Sequence, residues 1–237
     1  MLPSSFEDIL HGPAFVINLD RCQERWPIMK IRVEAAGFTP ERILAIDGLD
    51  GNCRALWKDF MNGRSYEYLF DSDGQSACSL SHVYLWQMMV DKSIPFASVF
   101  EDDVMFHKDW QTLAPTYYEQ TDHNRDIIYY GSQGAGTPNE PMTTRKSVFC
   151  THAYIITQDG ARRMLEHIRN KNRLFTIDCM IIHEMDRPSC CFTWQCWNAT
   201  MYPDPARETA LRPRNDGLVY QDADFVSNIH CHAPNTE

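Results

Sequence analysis

The run "AFVINLD" (Ala14–Asp20) is apolar without alternation and closes on polar residues. A strand with this pattern is buried on both faces, which is the situation of a strand inside a mostly parallel sheet covered by helices on both sides. The segments that follow fit this. "QERWPIMKIRVEAAG" places Ile28, Ile31, Val33 and Ala35 among charges at helical intervals, and Gly37 supplies a C-terminal stop. "RILAIDG" (Arg42–Gly48) then predicts a second short strand with Asp47 at its C-terminal end, completing a βαβ unit.

Further along, residues 51–74 are broken by Gly, Asn, Asp and Ser and read as irregular with one short helix. "QSACSLSHVYLWQMMV" carries apolar side chains round most of a helical circumference, so that helix is expected to be central and buried. "IPFASVF", "DIIYYGS", "FCTHAYIIT" and "CCFTWQCW" predict strands; "QDGARRMLEHIRN" and "FTIDCMIIHEM" predict helices; "QGAGTPNEP" and most of the last forty residues read as irregular. The expectation is an α/β chain around a mixed, mostly parallel central sheet, folded as one domain over residues 1–237.

With 43% hydrophobic residues and six tryptophans among 237, the chain can bury a substantial core. A formal net charge of −10 without any basic run argues against nucleic acid or an anionic membrane surface as partner. "MLPSSFEDILHG" has neither a basic nor an apolar signal region, and no window approaches the roughly 18 apolar residues of a spanning helix, so a cytoplasmic protein is expected. The nine cysteines are an odd number with no CxxC pair, which favours reduced thiols, although Cys190, Cys191 and Cys196 lie close enough in sequence for a disulfide or a metal.

The chemically informative stretch is "SVFEDDVMF", in which Glu101, Asp102 and Asp103 close an apolar strand. Ligands of open α/β sheets bind at the carboxyl ends of strands. Adjacent ionised carboxylates repel by roughly 1 to 4 kcal/mol, so such a run calls for a cation, and a hard divalent ion with oxygen ligands is the economical one. A solvated turn is the plainer alternative.

Together, "FVINLDRCQERW", "AIDG", "GQSACSLSHVYLWQMMV", "FASVFEDDVMF" and "THAYIITQDGARRML" resemble glycosyltransferase family 25, from about Phe15 to about Asp178. The resemblance implies a GT-A type, Rossmann-like domain that moves a hexose, galactose or glucose, with inversion from a UDP-sugar to a hydroxyl of a glycan, glycolipid or protein. It implies a nucleotide-sugar half over residues 14–132 and an acceptor half over 133–237, with Mn²⁺ or Mg²⁺ as cofactor.

Carried onto this sequence, Asp103 becomes the direct metal ligand, Asp102 a second ligand or a ribose contact, and Glu101 their support. A third metal ligand is offered by His230 or His232. Asn18, Leu19, Arg21, Arg25 and Asp47 fall to the donor, with Arg25 alternatively facing solvent. Ser81 and His82, helped by Gln75 and Ser79, either approach the donor or, for His82, belong to the core. Asp178 is the candidate general base, since inversion needs a carboxylate outside the metal cluster, and equally a helix N-cap; Glu184 and Asp186 are the alternatives. Two other classes fit less of the pattern: an inactive binding domain, and a Mg²⁺-dependent phosphohydrolase, for which no GxxxxGK[ST] loop is present.

Overall fold

A computed structural model describes residues 1–132, 142–143, 150–185, 194–197, 216–222 and 225. Helix α1 (Phe6–Leu10) leads into β1 (Ala14–Asn18), whose five residues are all buried. Alternation along β1 sends Phe15 and Ile17 into one apolar layer and Ala14 and Val16 into the other, which is why no polar residue interrupts the strand. Helix α2 (Arg25–Ala35) ends where the sequence placed its stop. Gly37 adopts φ +100°, with its N–H on Glu34 O at 2.9 Å and the N–H of Phe38 on Val33 O at 3.2 Å, a Schellman closure.

Strand β2 (Pro40–Leu44) is shorter than expected and lies at the sheet edge. Asp47 is therefore not a strand residue; it lies beyond the strand and caps a one-turn 3-10 helix, Gly48–Asp50, by accepting the N–H of Leu49 at 3.0 Å. The irregular segment contains α3 (Cys53–Phe60) and the short β3 (Glu67–Tyr68). Helix α4 (Asp73–Asp91) is buried on most sides, as its sequence required. Then come β4 (Phe96–Glu101), β5 (Val104–Phe106) and α5 (Trp110–Glu119). Helix α5 is additional to the sequence reading. Pro115 in its interior weakens the helical signal, while burial of Trp110, Ala114 and Tyr118 on one stripe holds it in place.

The rest comprises β6 (Ile127–Tyr129), β7 (Gly131–Ser132), β8 (Met142–Thr143), β9 (Ala153–Thr157), α6 (Gln158–Lys171), β10 (Arg173–Leu174), α7 (Ile177–Met185), β11 (Trp194–Trp197), β12 (Asp216–Gly217) and β13 (Val219–Gln221). The main sheet has the order β2-β1-β4-β9-β6-β11-β8. Strands β2, β1, β4, β6 and β11 share one direction, while β9 runs against β4 and β6, and β8 against β11. The α/β class and the mixed, mostly parallel sheet are thus as expected.

One apolar layer joins the sheet to α3, α4, α6 and α7; the other joins it to α1, α2 and α5. Among the described residues, Cys22, Cys53, Cys78, Cys150 and Cys179 are free thiols. Cys190, Cys191 and Cys231 lie outside the described residues. No helix among the described residues is long and apolar enough to cross a membrane. Within the C-terminal forty residues, expected to be mostly irregular, lie β12 and β13, and β13 pairs antiparallel with β5 directly after the acidic triplet.

Gly48 is a point of close approach. A Cβ there would stand 2.7 Å from the backbone carbon of Asp73 and 2.8 Å from both Asp73 O and Gly74 N. Gly48→Ala is therefore expected to push the first turn of α4 away from the loop after β2, at a cost of about 1–3 kcal/mol. Thermal denaturation measures this; an unchanged midpoint would contradict the contact.

Candidate functional site

The carboxyl ends of the parallel strands β1, β2 and β4 face a common cleft that opens to solvent. Its small-residue wall is built by Ala45, Gly48, Gly74 and Ala77, where the start of α4 meets the loop after β2. Ser81 fastens these elements together. Its Oγ accepts the N–H of Ile46 at 2.9 Å and donates to Ala77 O at 2.8 Å. The other side of the cleft carries Leu19, Arg21, Arg25 and all three acids of the triplet.

The three acids point in different directions: Glu101 ends β4 and is placed by its pleat, while Asp102 and Asp103 form the turn before β5. Ala97 and Val99 face the layer of α4, so Glu101, next in alternation, faces α4 as well. There it meets His82 Nε2 at 3.2 Å and accepts from Thr151 Oγ1 at 3.0 Å. Burial by itself would raise the Glu101 carboxyl, but its contacts with His82 and Thr151 and the proximity of His152 outweigh it and hold the group below the usual carboxylate range.

Asp102 turns to the other side. Its Oδ2 accepts from Asn18 Nδ2 at 2.6 Å and its Oδ1 from Arg25 Nη1 at 3.0 Å. Asn18 is fully buried and is itself fixed by Arg42 Nε on its Oδ1 at 2.7 Å. Burial raises the Asp102 carboxyl, opposed by Asn18 and Arg25.

Asp103 has the least compensation. Its Oδ2 accepts from Gln221 Nε2 at 3.1 Å, while Oδ1 is buried without a hydrogen-bond partner among the described residues. Burial, then the charges of Glu101 and Asp102, push this carboxyl up to about 8. A buried carboxyl oxygen without a partner, on a residue that lines the cleft with two further acids, is a fitting donor for a hard divalent cation.

The segment after β12 closes over this turn. The N–H of Asp222 reaches Asp103 O at 2.5 Å, Arg32 Nη2 reaches Asp222 Oδ2 at 2.6 Å, and the Phe225 ring lies 4.9 Å from the Arg25 guanidinium carbon and 5.4 Å from that of Arg32. Gln221 was missed in the sequence, as were Arg42, Thr151 and Tyr154. For Gln221 the signal existed: "LVYQ" has high strand propensity amid polar residues. The other three carry no mark in the chain that distinguishes them from ordinary sheet residues.

Of the residues expected at the site, Leu19, Arg21, Arg25, Ser81, His82, Asp102 and Asp103 line the cleft, and Asn18 lies beneath it. Arg25 is buried, not solvent-facing. Asp47 is outside the residues that line the cleft and is held by one that does, Arg21, whose Nε donates to Asp47 Oδ2 at 2.6 Å. Gln75 and Ser79 bond within the first turns of α4, Gln75 Oε1 accepting the N–H of Asp71 and Ser79 Oγ donating to Gln75 O. Asp178, at the start of α7, accepts the backbone N–H of Cys150 at 3.2 Å and of Cys179 at 2.7 Å. His230, His232 and Asp186 lie outside the described residues, as does the side chain of Glu184.

Comparison with known proteins bears on this geometry. The sequence model of glycosyltransferase family 25 (LPS biosynthesis protein) matches residues 11–181. A glycosyltransferase 25 family member of Drosophila melanogaster is 27% identical over 165 residues, 64% of this chain and 27% of that protein. A protein of Bos taurus named probable inactive glycosyltransferase 25 family member 3 is 26% identical over 166 residues, again 64% of this chain and 28% of that protein. The chain thus spans about a quarter of the length of these relatives. The solved structure of a glycosyltransferase involved in the glycosylation of the major capsid of PBCV-1 aligns with a TM-score of 0.44 at 10% identity, covering 78% of this chain and 81% of that one.

Proposed function

The chain belongs to glycosyltransferase family 25, and from that premise we propose that it is an inverting, cation-dependent glycosyltransferase of GT-A type that moves galactose or glucose from a UDP-sugar to a hydroxyl acceptor. The observation that carries this reading is the Asp103 carboxyl, buried and with one oxygen unpartnered among the described residues, in the lining of a cleft that Glu101 and Asp102 share.

Asp103 would hold Mn²⁺ or Mg²⁺, joined by Asp102 once it exchanges a present partner and by His230 or His232 from the C-terminal segment. Bound there, such an ion supplies Lewis-acid stabilisation of the charge that develops on the leaving diphosphate. The chain's own residues do the rest. Arg21 and Arg25 would meet the phosphates, the small residues Ala45, Gly48, Gly74 and Ala77 would face the base, and Asp47, paired with Arg21, would accept from ribose hydroxyls. Asp178 is assigned as the base that takes the acceptor hydroxyl's proton. Acceptors of this chemistry are glycans, glycolipids or protein hydroxyls. The low charge density of basic groups and the absence of a spanning helix among the described residues fit a protein acting on such molecules from aqueous solution, with the cytoplasm as the proposed compartment.

A second reading has its own observation. Both oxygens of Asp102 are satisfied by Asn18 and Arg25, as they would be in a domain that binds a nucleotide without turning it over. A panel of nucleotide sugars, screened by thermal shift with and without Mn²⁺ and then assayed for UDP release, separates the two. We expect one UDP-hexose to raise the midpoint only with Mn²⁺ and to be turned over. Metal-independent stabilisation by UDP with no turnover would favour the binding domain, and phosphate release from simple esters would favour a phosphohydrolase.

A further inference from the structure

The support of Glu101 begins three side chains behind it. Trp86 Nε1–H can only donate, and it donates to Tyr154 Oη at 3.0 Å. Tyr154 is fully buried, so its own hydroxyl proton needs an acceptor, and His82 Nδ1 lies 2.8 Å away. An imidazole that accepts at Nδ1 while neutral carries its proton on Nε2. Nε2 is the atom 3.2 Å from Glu101 Oε1. The opposite tautomer would leave the Tyr154 proton without an acceptor and set a nitrogen lone pair against a carboxylate oxygen.

We propose that His82 is a positioning residue, its Nε2–H tautomer fixed by Trp86 and Tyr154, that holds the Glu101 carboxylate oriented behind the cation-binding acids. The role rests on the reading of the cleft as a cation and donor site, and it goes beyond that reading by assigning the buried Trp86–Tyr154–His82 chain a task. It also separates His82 from the ligands. Cys78, His82 and Glu101 offer ligand atoms within 4.8 Å of one another, the arrangement of a soft-metal triad. For His82 to serve there, Nε2 would have to give up its proton to Nδ1 and break the chain.

The test has two arms on the full chain. In protein labelled with ¹⁵N-histidine, long-range ¹H–¹⁵N correlation reads the tautomer, and the signals missing in His82→Gln identify His82. We expect Nε2–H in the parent protein and a changed or averaged tautomer in Tyr154→Phe. A parent protein with Nδ1–H, or a Tyr154→Phe spectrum identical to it, would overturn the proposal, and the first of these is decided even if the variants fold poorly.

The second arm is Mn²⁺ titration calorimetry. Gln at 82 keeps an N–H donor at the position of Nε2, whereas Asn offers one only near Nδ1. We expect His82→Gln to bind within a few-fold of the parent and His82→Asn to bind about 10-fold or more weaker, the range for groups that orient a metal ligand. Equal losses would mean packing alone. Zn²⁺ bound by the parent and lost in Cys78→Ser would assign the soft-metal triad instead. Should the parent bind no Mn²⁺ at all, the cleft reading fails while the tautomer measurement still decides this one.

Discussion

Asp103→Asn is expected to lower the Mn²⁺-dependent kcat by about 10²–10³-fold, the loss seen when a group stabilising developing charge is removed, and to change the pH dependence of stability in a defined direction. Burial, reinforced by Glu101 and Asp102, raises this carboxyl to about 8 in the folded chain, while in the unfolded chain it titrates near its ordinary value of about 4. The folded state therefore holds the extra proton between those values. Its stabilising contribution is complete below about pH 4 and is lost as the pH rises through about 8.

The asparagine variant lacks this loss. Without divalent ions its melting midpoint should approach and then exceed that of the parent as the pH is raised from 5 to 9. The parent's Mn²⁺ affinity should weaken about tenfold for each pH unit below the raised value, because the cation displaces a proton. Calorimetry in two buffers of different ionisation enthalpy should register close to one proton released. Turnover by Asp103→Asn at the parent rate, or a pH-independent affinity, would remove Asp103 from the cation site.

Arg25→Met should be the most damaging single change to stability among the cleft residues. The pair with Asp102 is largely buried, the two side chains being 10% and 14% exposed, and removing one member of such a pair leaves the other charge uncompensated, at about 3–5 kcal/mol. For a chain of this length that corresponds to a fall in midpoint of roughly 6–12 °C from the lower figure. The contact of Arg25 with the Phe225 ring is lost in the same step. Arg25→Met combined with Asp102→Asn should recover most of the loss, since both partners are then neutral. Mn²⁺ should stabilise the single variant more than the parent if Asp102 can turn to a cation when Arg25 releases it. A midpoint within 2 °C of the parent, or no added effect of Mn²⁺, would place Asp102 outside both roles.

Much of this site was legible because strand chemistry is local. The apolar run ending in three acids fixed β4 and its end, and the rule that parallel strands present their carboxyl ends to ligands located the cleft. Asp47 was misplaced by a few residues because β2 is an edge strand whose half-exposed residues give it no clear end, and because a one-turn 3-10 cap resembles strand continuation in sequence. The C-terminal segment was read as irregular since a three-residue strand has no period of its own. Only pairing with β5 makes Val219–Gln221 a strand and carries Gln221 to Asp103.

The sequence by itself determined which residues are apolar on both faces of the sheet, which helix must be central, and that a run of carboxylates closes β4. Such facts follow from side-chain period and composition, which need no knowledge of what packs where. The tertiary structure decided how three neighbouring acids are divided: Glu101 to the His82 side, Asp102 to Asn18 and Arg25, Asp103 to Gln221. The pleat of β4 places Glu101 and the turn that follows places Asp102 and Asp103, so similar side chains adjacent in sequence meet different surroundings, and the partners waiting there come from far along the chain.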